Sequence, residues 1–492
     1  MDTLAFEHHL TSPQGHRHVP DGACTVTVDG GSCCDSVEIS ITVARDRVLD
    51  AGFDAHGCGA ATAAGSAAVT LVRGTHVLDA ARVGAREIAE ELGGLSPAKL
   101  HAAEVASDAL ARALGGAVRE RGELERPLSG ERSLVAMSGG VDSAVAAVRC
   151  AQSGETIAVT LELWADAEND AERSCCSATA VAQARSLAHS LGLPHFTIDL
   201  RREFRDGVVA PFISGYAGGE TPNPCVGCNG HVRLDAMLEL ADRLGCETLA
   251  TGHYARVAEA EHREGPLLRV AADLAKDQTY MLAALSARSL ARMRFPLGEL
   301  TKPEVRELAA AAGLPVAAKA DSQDLCFMAG TDRARFLARH GGVGDRLGPI
   351  VDREGSVIGR HRGQHLFTVG QRKGLGIAGG EPLYVIDKDA QSNRVVVGPR
   401  EALQSSRVTL RNARLHRDGA RVDRVKLRYR SRPLAARVAE AATVGRQQSL
   451  TLELADVADV AAPGQMACLM DGELVIGWGT IVRPRAAQAL AS

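Results

Sequence analysis

The spacing of apolar residues divides the chain into regions of different texture. Residues 20–118 open with short runs in which apolar and polar residues alternate, as half-buried strands do, at Thr25–Val28, Val37–Val43 and Arg47–Phe53. An alanine-rich stretch with helical spacing follows from Gly59 to Gly116. We therefore expect residues 1–118 to form an α+β domain.

From Leu134 to about Met328, short β-branched runs alternate with helix-length stretches. The runs SLVAMS, TIAVTLEL, HFTIDL and ETLAT are interleaved with predicted helices at Val141–Gln152, Ala178–Leu191, Glu203–Tyr216 and His231–Leu244. This alternation is typical of a doubly wound parallel sheet, so we expect an α/β domain at residues 134–330. The charged segment before it, residues 119–133, contains proline and glycine without apolar periodicity and is predicted to be a linker.

After residue 330 the predicted strands become short and glycine becomes frequent, as in GPIVDREGSVIG, QSLTLEL and GELVIGWG. This texture is typical of small β-domains. We expect a small β-rich central domain at residues 331–405 and a C-terminal β-barrel at residues 406–487.

Composition narrows the class of protein. Of the 492 residues, 45% are hydrophobic and 24% charged, which argues against a disordered chain. No apolar run reaches the roughly 20 residues of a membrane span, and the N-terminus lacks the pattern of a secretion signal. With 12 cysteines and no such signal, we expect a cytoplasmic protein without membrane contact, whose thiols serve metals or catalysis.

Charge is distributed unevenly along the chain. The net charge is −4, yet residues 331–492 carry 26 Lys/Arg against 16 Asp/Glu. Between Arg407 and Arg437 there are eleven basic residues and only Asp418 and Asp423. This stretch is either a solvated face or the binding surface of a polyanion.

A glycine-rich loop follows the first predicted strand of the α/β domain and opens a helix. Small residues let successive N–H groups point inward, and the helix N-terminus adds positive potential, so the loop can cradle phosphates. It lacks the Lys-Ser/Thr pair of a Walker loop, and Asp142 suits a Mg²⁺-bridged pyrophosphate. The candidate nucleotide-binding residues are Ala136, Met137, Ser138, Gly139, Gly140, Val141, Asp142 and Ser143.

The string SGGVDS resembles the pyrophosphate loop of ATP-dependent adenylating enzymes. Six further motifs, TPNPCVGCN, ATGHYAR, KDQTYML, DSQDLCF, VGQRKGLGI and LRYR, occur in the order found in tRNA-specific 2-thiouridylases. The resemblance covers roughly residues 132–487. It implies an enzyme that uses ATP to adenylate C2 of the wobble uridine (position 34) of tRNA and replaces its oxygen with sulfur.

Two cysteines stand in the matching motifs. The resemblance implies that Cys326 carries a persulfide and that Cys228 is the nucleophile that releases the product by closing a disulfide. The extra thiol of Cys225 leaves an alternative, in which Cys225, Cys228 and Cys326 hold an iron–sulfur cluster that delivers the sulfur. We expect Cys150, Cys246, Cys468, Cys175 and Cys176 to be structural.

The resemblance also implies binding residues and partners. Leu161 and Gly252 would join the loop in contacting ATP. A cysteine desulfurase or a sulfur relay protein would supply the sulfur, and the basic stretch 407–437 would neutralise anticodon-stem phosphates. The implied tRNA contacts are Asn223, Pro224, Cys225, His253, Lys276, Asp277, Gln278, Arg428, Tyr429 and Gln465.

The N-terminal block resembles the iron–sulfur cluster assembly scaffolds over residues 20–118, through DGGSCCDSVEISITV, FDAHGCGAATAAGS and KLHAAEVASDALARAL. The resemblance implies a metal or cluster site at Cys33, Asp35, Cys58 and His101. Ala102 stands where the family has its third cysteine, and Cys34 and Cys24 are candidates to replace it. The block could assemble or carry a cluster, receive sulfur, or serve only for docking.

Two other functions stay open at this point. One is an iron–sulfur scaffold or carrier with a tRNA-binding tail, which the intact loop and the paired cysteines disfavour. The other is an adenylating synthetase that uses ammonia and needs no paired cysteines.

Overall fold

The computed structural model describes residues 3–30, 34–166, 177–259, 264–320, 325–377, 381–459 and 461–483. The predicted ligand Cys33, the cysteines Cys175 and Cys176, and the first four residues of the DSQDLCF motif lie outside these ranges. None of the helices in the described ranges combines the length and hydrophobicity of a membrane span.

The N-terminal domain packs helices on one antiparallel sheet of order β1-β2-β3. Strand β2 buries Val37, Ile39 and Ile41 completely on one face, and Ser40 and Thr42 on its other face are buried as well. The elements are α1 (Thr3–Thr11), β1 (Cys24–Asp29), β2 (Ser36–Ala44), β3 (Arg47–His56), α2 (Gly59–Val72), α3 (Val77–Ala80), α4 (Ala85–Glu91) and α5 (Leu100–Arg121).

The α/β domain, which carries the pyrophosphate-loop motif and is therefore the expected catalytic domain, is built on a parallel five-stranded sheet of order β10-β7-β4-β5-β6, as expected for a doubly wound domain. Its elements up to the end of the sheet are β4 (Arg132–Ala136), α6 (Val141–Ser153), β5 (Glu155–Glu162), α7 (Ala178–Ser190), β6 (His195–Asp199), α8 (Arg201–Phe204), α9 (Ala210–Ala217), α10 (Pro224–Gly227), α11 (Leu234–Arg243), β7 (Thr248–Thr251), β8 (Arg256–Ala258), β9 (Leu267–Arg269), α12 (Thr279–Leu282), α13 (Ala287–Arg292) and β10 (Met293–Arg294). Helices α14 (Lys302–Ala311) and α15 (Arg333–Gly341) follow.

Two predicted helices of this domain contain π-helical segments. Residues 205–209 separate α8 from α9, and residues 228–233 precede α11. In the first case Pro211 has no N–H to donate within the helix, which favours a change of helical register. Hydrophobic periodicity shows only that the segments are helical.

Helix α5 joins the N-terminal domain to the catalytic domain. It is buried on nearly all sides, because one face covers β1 and β2 and the other lies on β6, the edge strand of the parallel sheet. At Gly115 a Cβ would lie 2.1 Å from the carbonyl oxygen of Thr197, so the close approach requires glycine. One apolar core consequently runs through both domains.

A network of charges lies at the edge of this interface. Arg112 of α5 bonds Asp108 (2.9 Å) and Glu162 (2.7 Å), and Arg185 of α7 bonds Asp108 (2.6 Å). All four side chains are at least four-fifths buried. Burial raises the pKa of Glu162 even though Arg112 opposes the shift. The network therefore fixes α5 against the end of β5.

The remaining domains are small β-structures, as the sequence predicts. The central domain has a four-stranded sheet of order β12-β11-β14-β13, and the six following strands close into a barrel through the pairing of β15 with β20. The hairpin β8–β9 of the catalytic domain extends the barrel sheet beside β20. The strands are β11 (Gly348–Val351), β12 (Val357–His361), β13 (Tyr384–Asp389), β14 (Arg394–Gly398), β15 (Gln404–Leu415), β16 (Arg424–Lys426), β17 (Leu434–Val438), β18 (Gly445–Asp459), β19 (Met466–Asp471) and β20 (Leu474–Ile481).

Candidate active site

The pyrophosphate loop connects β4 to α6. Ser143 holds the turn together, because its hydroxyl accepts from the Ser138 N–H (3.1 Å) and donates to the Gly140 carbonyl (3.0 Å). Gly139 has φ +70°, a conformation that glycine adopts without strain. The N-terminus of α6 and the backbone N–H groups of the loop have the geometry of an anion-binding turn, and the binding of ATP phosphates there stays a prediction.

The absence of a side chain at Gly252 lets the end of β7 lie directly against this loop. A Cβ at Gly252 would lie 2.7 Å from the Asp142 carbonyl carbon and from the Ser143 nitrogen. The glycine in the ATGHYAR motif therefore keeps the two segments in contact and leaves room above them.

Asp142 is held by two side chains that the sequence analysis did not single out. Lys302, at the start of α14, contacts both carboxylate oxygens at 2.7 and 2.9 Å, and the Tyr254 hydroxyl donates to one of them at 2.9 Å. Tyr254 lies within a recognised motif, whereas Lys302 comes from a helix that carries none.

A cavity of about 330 Å³ opens above the loop. Nine of the ten predicted ATP residues line it, all except Gly139, and so do four of the predicted tRNA residues. A volume of this order suits a small ligand. The predicted residues at the cavity are Ala136, Met137, Ser138, Gly140, Val141, Asp142, Ser143, Leu161, Gly252, His253, Lys276, Gln278 and Tyr429.

Three further cationic side chains reach the cavity. Lys319 donates to the Gly139 carbonyl (3.0 Å) and thereby touches the loop itself. Arg233 ends the π-helical segment that begins at Cys228, and Arg430 neighbours Tyr429. The sequence analysis missed Lys319 and Arg233 as site residues, although Arg233 stands only five positions after Cys228.

His253 is neutral at the cavity wall. Burial and the nearby Arg233 lower the pKa of His253 to about 3, and its Nδ1 lies 2.8 Å from the Thr251 hydroxyl. A neutral imidazole can exchange hydrogen bonds with a base but adds no charge to a phosphate site.

The segment that carries Cys225 and Cys228 is ordered by Asn223. The Asn223 side chain accepts from the Cys225 N–H (3.1 Å) and caps α10, with Pro224 at its first position. Cys228 is buried, whereas Cys225 is partly exposed. Burial raises the pKa of Tyr429, and the charges of Asp277 and Cys225 add to the shift.

Cys326 begins a 3-10 turn whose next residue, Phe327, anchors it. The Phe327 ring packs against Phe336 (5.1 Å between centroids) and Phe212 (5.2 Å) and is 1% exposed. Cys326 itself is partly exposed. An aromatic core thus supports a thiol at the surface, and Cys326 and Cys228 pack in the same apolar cluster.

The described cysteines differ in their surroundings. The described residues contain one group of three His, Cys, Asp or Glu ligand atoms within 4.8 Å of one another, and it does not include Cys225, Cys228 or Cys326, so these three thiols do not form a site for a single metal ion. Burial raises the pKa of Cys150 to about 11 and of Cys246 and Cys468 to about 12, which fits inert, structural thiols.

Two of the predicted tRNA residues lie between domains. Asp277 is buried, accepts from the Thr279 hydroxyl and pairs with Lys426 of β16 at 3.1 Å. Gln465, just before β19, donates its side-chain N–H to the Thr221 carbonyl at 2.5 Å. Their tRNA role stays a prediction, and their observed contacts join the barrel to the catalytic domain.

Most of the basic stretch is ion-paired. Seven of its eleven cations contact carboxylates: Arg407 and Arg437 with Glu453, Arg411 with Glu220, Arg417 with Glu264, Arg421 with Asp471, Arg424 with Asp423, and Lys426 with Asp277. Arg428, Arg430 and Arg432 lie exposed in the β16–β17 connection, and Arg430 lines the cavity. The stretch is therefore not a uniform phosphate-binding face.

The N-terminal domain brings three predicted ligands together. The Cys58 thiol donates to Asp35 at 3.2 Å, and His101 Nε2 lies 2.9 Å from the same carboxylate oxygen. Burial opposes ionisation of Asp35, but hydrogen bonds from Cys58 and His101 outweigh it and lower the pKa of Asp35. The thiol, imidazole and carboxylate are a donor set that binds transition metals.

The surroundings of this site do not offer Cys24 as a replacement ligand. Cys24 pairs with Ile41 at the end of β1 remote from Asp35, and a Cβ on Gly116 would lie 2.4 Å from its sulfur. Burial raises the pKa of Cys24. Ala102 is buried, and the exposed Cys34, next to Asp35, remains the described candidate.

Comparisons with known proteins agree with this architecture. The sequence matches the NifU-like N terminal domain over residues 7–120, the tRNA methyl transferase HUP domain over 131–330 and the tRNA methyl transferase PRC-barrel domain over 334–399. It is 42% identical to the bifunctional protein NifU/MnmA of Rubrobacter xylanophilus, over 96% of this chain and 97% of that protein.

Proteins that lack the N-terminal domain match the remainder. The tRNA-specific 2-thiouridylase MnmA of Chloroflexus aurantiacus is 44% identical over 72% of this chain and 99% of its own length. That of Sorangium cellulosum is 43% identical over 74% of this chain and 96% of its own length. The chain is therefore an enzyme of the nucleotide-binding HUP class fused to a NifU-like domain. It belongs to the family of the bifunctional NifU/MnmA protein.

Proposed function

We propose that the chain is an ATP-dependent sulfurtransferase that converts the wobble uridine of tRNA, at position 34, to 2-thiouridine. The observation that carries the proposal is the single cavity in which the pyrophosphate loop faces Arg233, from the Cys228 segment, and Tyr429, from the barrel. Cys228 and Cys326 are not among the residues that line this cavity, and Arg233 connects the cavity to the π-helical segment that begins at Cys228.

The first step activates the base. The loop and the N-terminus of α6 bind the triphosphate of ATP, and the C2 oxygen of uridine attacks the α-phosphorus. The bond from that phosphorus to the β-phosphate oxygen breaks, and pyrophosphate leaves. Loop N–H groups and Lys319 stabilise the charge that accumulates on the leaving group.

The second step transfers sulfur from a persulfide on Cys326. The terminal sulfur attacks C2, and the bond from C2 to the adenylate oxygen breaks, so AMP leaves. The Cys228 thiolate then attacks the Cys326 sulfur, which breaks the persulfide S–S bond, forms a Cys228–Cys326 disulfide and releases 2-thiouridine. Two electrons from the protein thiols thus reduce the sulfane sulfur, and an external dithiol restores the enzyme.

Magnesium belongs to the proposal because triphosphates are commonly bound as Mg²⁺ complexes. Asp142, the predicted ligand, is engaged by Lys302 and Tyr254. To bind Mg²⁺, Asp142 would have to exchange the Lys302 ammonium group for the ion. The phosphates of ATP would supply further ligands. None of the steps above depends on that exchange.

The proposal also names the tRNA-binding residues and the sulfur donor. Arg428, Arg430 and Arg432 beside the cavity would meet the anticodon stem-loop, whose splayed base enters between Tyr429 and the loop. We infer that a cysteine desulfurase or a sulfur relay protein charges Cys326 in the cytoplasm. Asp35, Cys58 and His101, with Cys33, would hold the iron or sulfur cargo of the N-terminal domain.

The thiol assignment is tested with Cys326→Ala and Cys228→Ser. Both variants should lose multiple-turnover thiolation of transcribed tRNA, because each lacks one of the two reacting sulfurs. Both should keep tRNA binding and tRNA-dependent pyrophosphate release, which serve as internal controls. Continued turnover by either variant would contradict the assignment.

An iron–sulfur cluster on Cys225, Cys228 and Cys326 is the alternative to the persulfide, and it differs from a single-ion site, which these thiols do not form. The distinguishing variant is Cys225→Ala in a Cys58→Ala background, which silences the N-terminal site. With a desulfurase as donor, it should retain much of the thiolation activity of the Cys58→Ala chain. Iron-dependent visible absorption that disappears with Cys225, together with the activity, would revive the cluster.

A further inference from the structure

The cysteine segment, residues 221–228 of the catalytic domain, is bound by the barrel at its first residue, Thr221. The Thr221 N–H donates to the Pro463 carbonyl at 2.8 Å, and the Gln465 side chain donates to the Thr221 carbonyl at 2.5 Å. Both backbone polar groups of Thr221 are therefore satisfied by the loop that precedes β19. A two-point contact of this kind fixes the direction of the chain as well as its position.

Side chains on either side extend the contact. Glu220 receives two bonds from Arg411 of β15, at 2.6 and 2.8 Å. The Tyr280 hydroxyl donates to the Met466 carbonyl at 2.7 Å. Asn223 accepts from the Cys225 N–H and caps the helix that carries this cysteine. The barrel therefore contacts Glu220 and Thr221 directly before the helix that carries Cys225.

Gly464 marks how close the two segments are. It has φ +89°, and a Cβ there would lie 2.9 Å from the Glu220 Cβ and 3.1 Å from the Thr221 nitrogen. An alanine at this position would push the barrel loop and the cysteine segment apart. The atoms in the way belong to backbone and to a first side-chain carbon, so they cannot swing aside.

We propose that residues 463–466 of the barrel, with Arg411, position the segment 221–228 for sulfur transfer. Gln465 and Arg411 act through Thr221 and Glu220 and are positioning residues. The inference rests on the proposed function for its kinetic consequence: loosening the contact lowers the rate of thiolation without lowering tRNA affinity. A shift near 1 Å in the thiols would reduce the rate by about 100-fold.

The test compares Gly464→Ala with Gly472→Ala. Gly472 lies in the β19–β20 turn of the same barrel with φ +58°, and nothing lies within 4 Å of a Cβ placed there. Both variants therefore carry backbone strain, but only Gly464→Ala wedges the segments apart. We expect a 10- to 100-fold lower single-turnover thiolation rate for Gly464→Ala with tRNA affinity within about 2-fold, and wild-type behaviour for Gly472→Ala.

A charge reversal gives an independent test should Gly464→Ala fail to fold. Arg411→Glu and Glu220→Arg should each slow thiolation, and the double variant should recover most of the rate. Unchanged rates in Gly464→Ala and in both single reversals would overturn the proposal. Parallel losses of affinity and rate would overturn it as well, because they identify a direct tRNA contact.

Alkylation of Cys225 separates this inference from the proposed function. Peptide mass spectrometry should show a changed labelling rate at Cys225 in Gly464→Ala but not in Gly472→Ala, whether or not the wild type thiolates tRNA. Identical labelling in all three chains would contradict the positioning role. A wild type without thiolation activity, yet with the labelling difference, would remove only the proposed function.

Discussion

Lys302 is the residue whose role depends most on the fold. Its ammonium group neutralises Asp142 in the middle of the phosphate site, and its side chain is 10% exposed. Whenever Asp142 binds no Mg²⁺, its carboxylate would repel the triphosphate without this cation. The lysine therefore makes an acidic loop compatible with an anionic ligand.

We expect Lys302→Met to raise the KM for ATP and to slow tRNA-dependent pyrophosphate release by about 10-fold or more, since it leaves the partly buried carboxylate of Asp142 without a cationic partner. Lys302→Arg keeps the charge and should recover part of the rate. Steady-state pyrophosphate assays at several ATP concentrations measure both quantities. Equal KM values in Lys302→Met and the wild type would refute this role.

Residues of the site could be predicted from the sequence only where they share a segment with a motif. Gly252, Tyr429 and the loop from Ala136 to Ser143 stand in such segments, and all of these residues except Gly139 line the cavity. Lys302 and Lys319 reach the loop from 160 and 180 positions away, and no local pattern records that approach. Asp277 and Gln465 stand in segments that the resemblance singles out, but the sequence does not reveal their contacts with Lys426 and Thr221.

At the scale of elements, the π-helical segment at residues 228–233 brings a cysteine, Cys228, and a cavity-lining cation, Arg233, to nearby positions on one helix. Its i→i+5 bonding stacks Arg233 one turn from Cys228, whereas an α-helix would place residues five apart on different faces. A helix was predictable here from periodicity. The change of register was not, because it depends on packing against the neighbouring π-helical segment at residues 205–209.

Strand β13 carries a second element-scale feature, the fully buried Lys388. Its ammonium group donates to the Phe367 carbonyl at 2.8 Å. Burial lowers the pKa of Lys388 to about 7, and Arg333 and Arg483 add to the shift while Asp387 and Glu220 oppose it. Between pH 7 and 10.5 the unfolded chain thus binds one more proton than the folded chain, so stability rises with pH in this window.

We expect Lys388→Met to abolish that dependence. The wild type should gain stability from pH 7 to pH 9 relative to the variant, with a slope of at most about 1.4 kcal/mol per pH unit. Urea unfolding followed at both pH values measures the difference. Parallel pH profiles for the two chains would show that Lys388 stays charged when folded.

At the scale of the whole molecule, the N-terminal and catalytic domains form one body. The sequence shows two domains in order, and it predicts residues 119–133 to link them. Helix α5 extends to Arg121, and its second face lies on β6. The apolar residues on all sides of α5 indicate that the helix is buried on both faces. They do not indicate which surface the second face covers.

Removing residues 1–130 should therefore destabilise the catalytic domain. The deletion exposes the edge of β6 and the apolar surface under α5, which favours aggregation. Size-exclusion chromatography and amide hydrogen exchange of β6 report the outcome, with full-length Cys58→Ala as the folded control. A soluble, monodisperse fragment with protected β6 amides would disprove the shared core.

The packing of Gly115 on Thr197 also has a consequence for biosynthesis. The two residues are 82 positions apart, so at 5–20 residues per second β6 leaves the peptidyl transferase centre about 4 to 16 s after α5. During that interval the N-terminal domain exists on the ribosome with one apolar face of its longest helix uncovered. Trigger-type chaperones that bind nascent apolar surface should crosslink to α5 in arrested chains ending before His195, and lose that crosslink once β6 has emerged and docked.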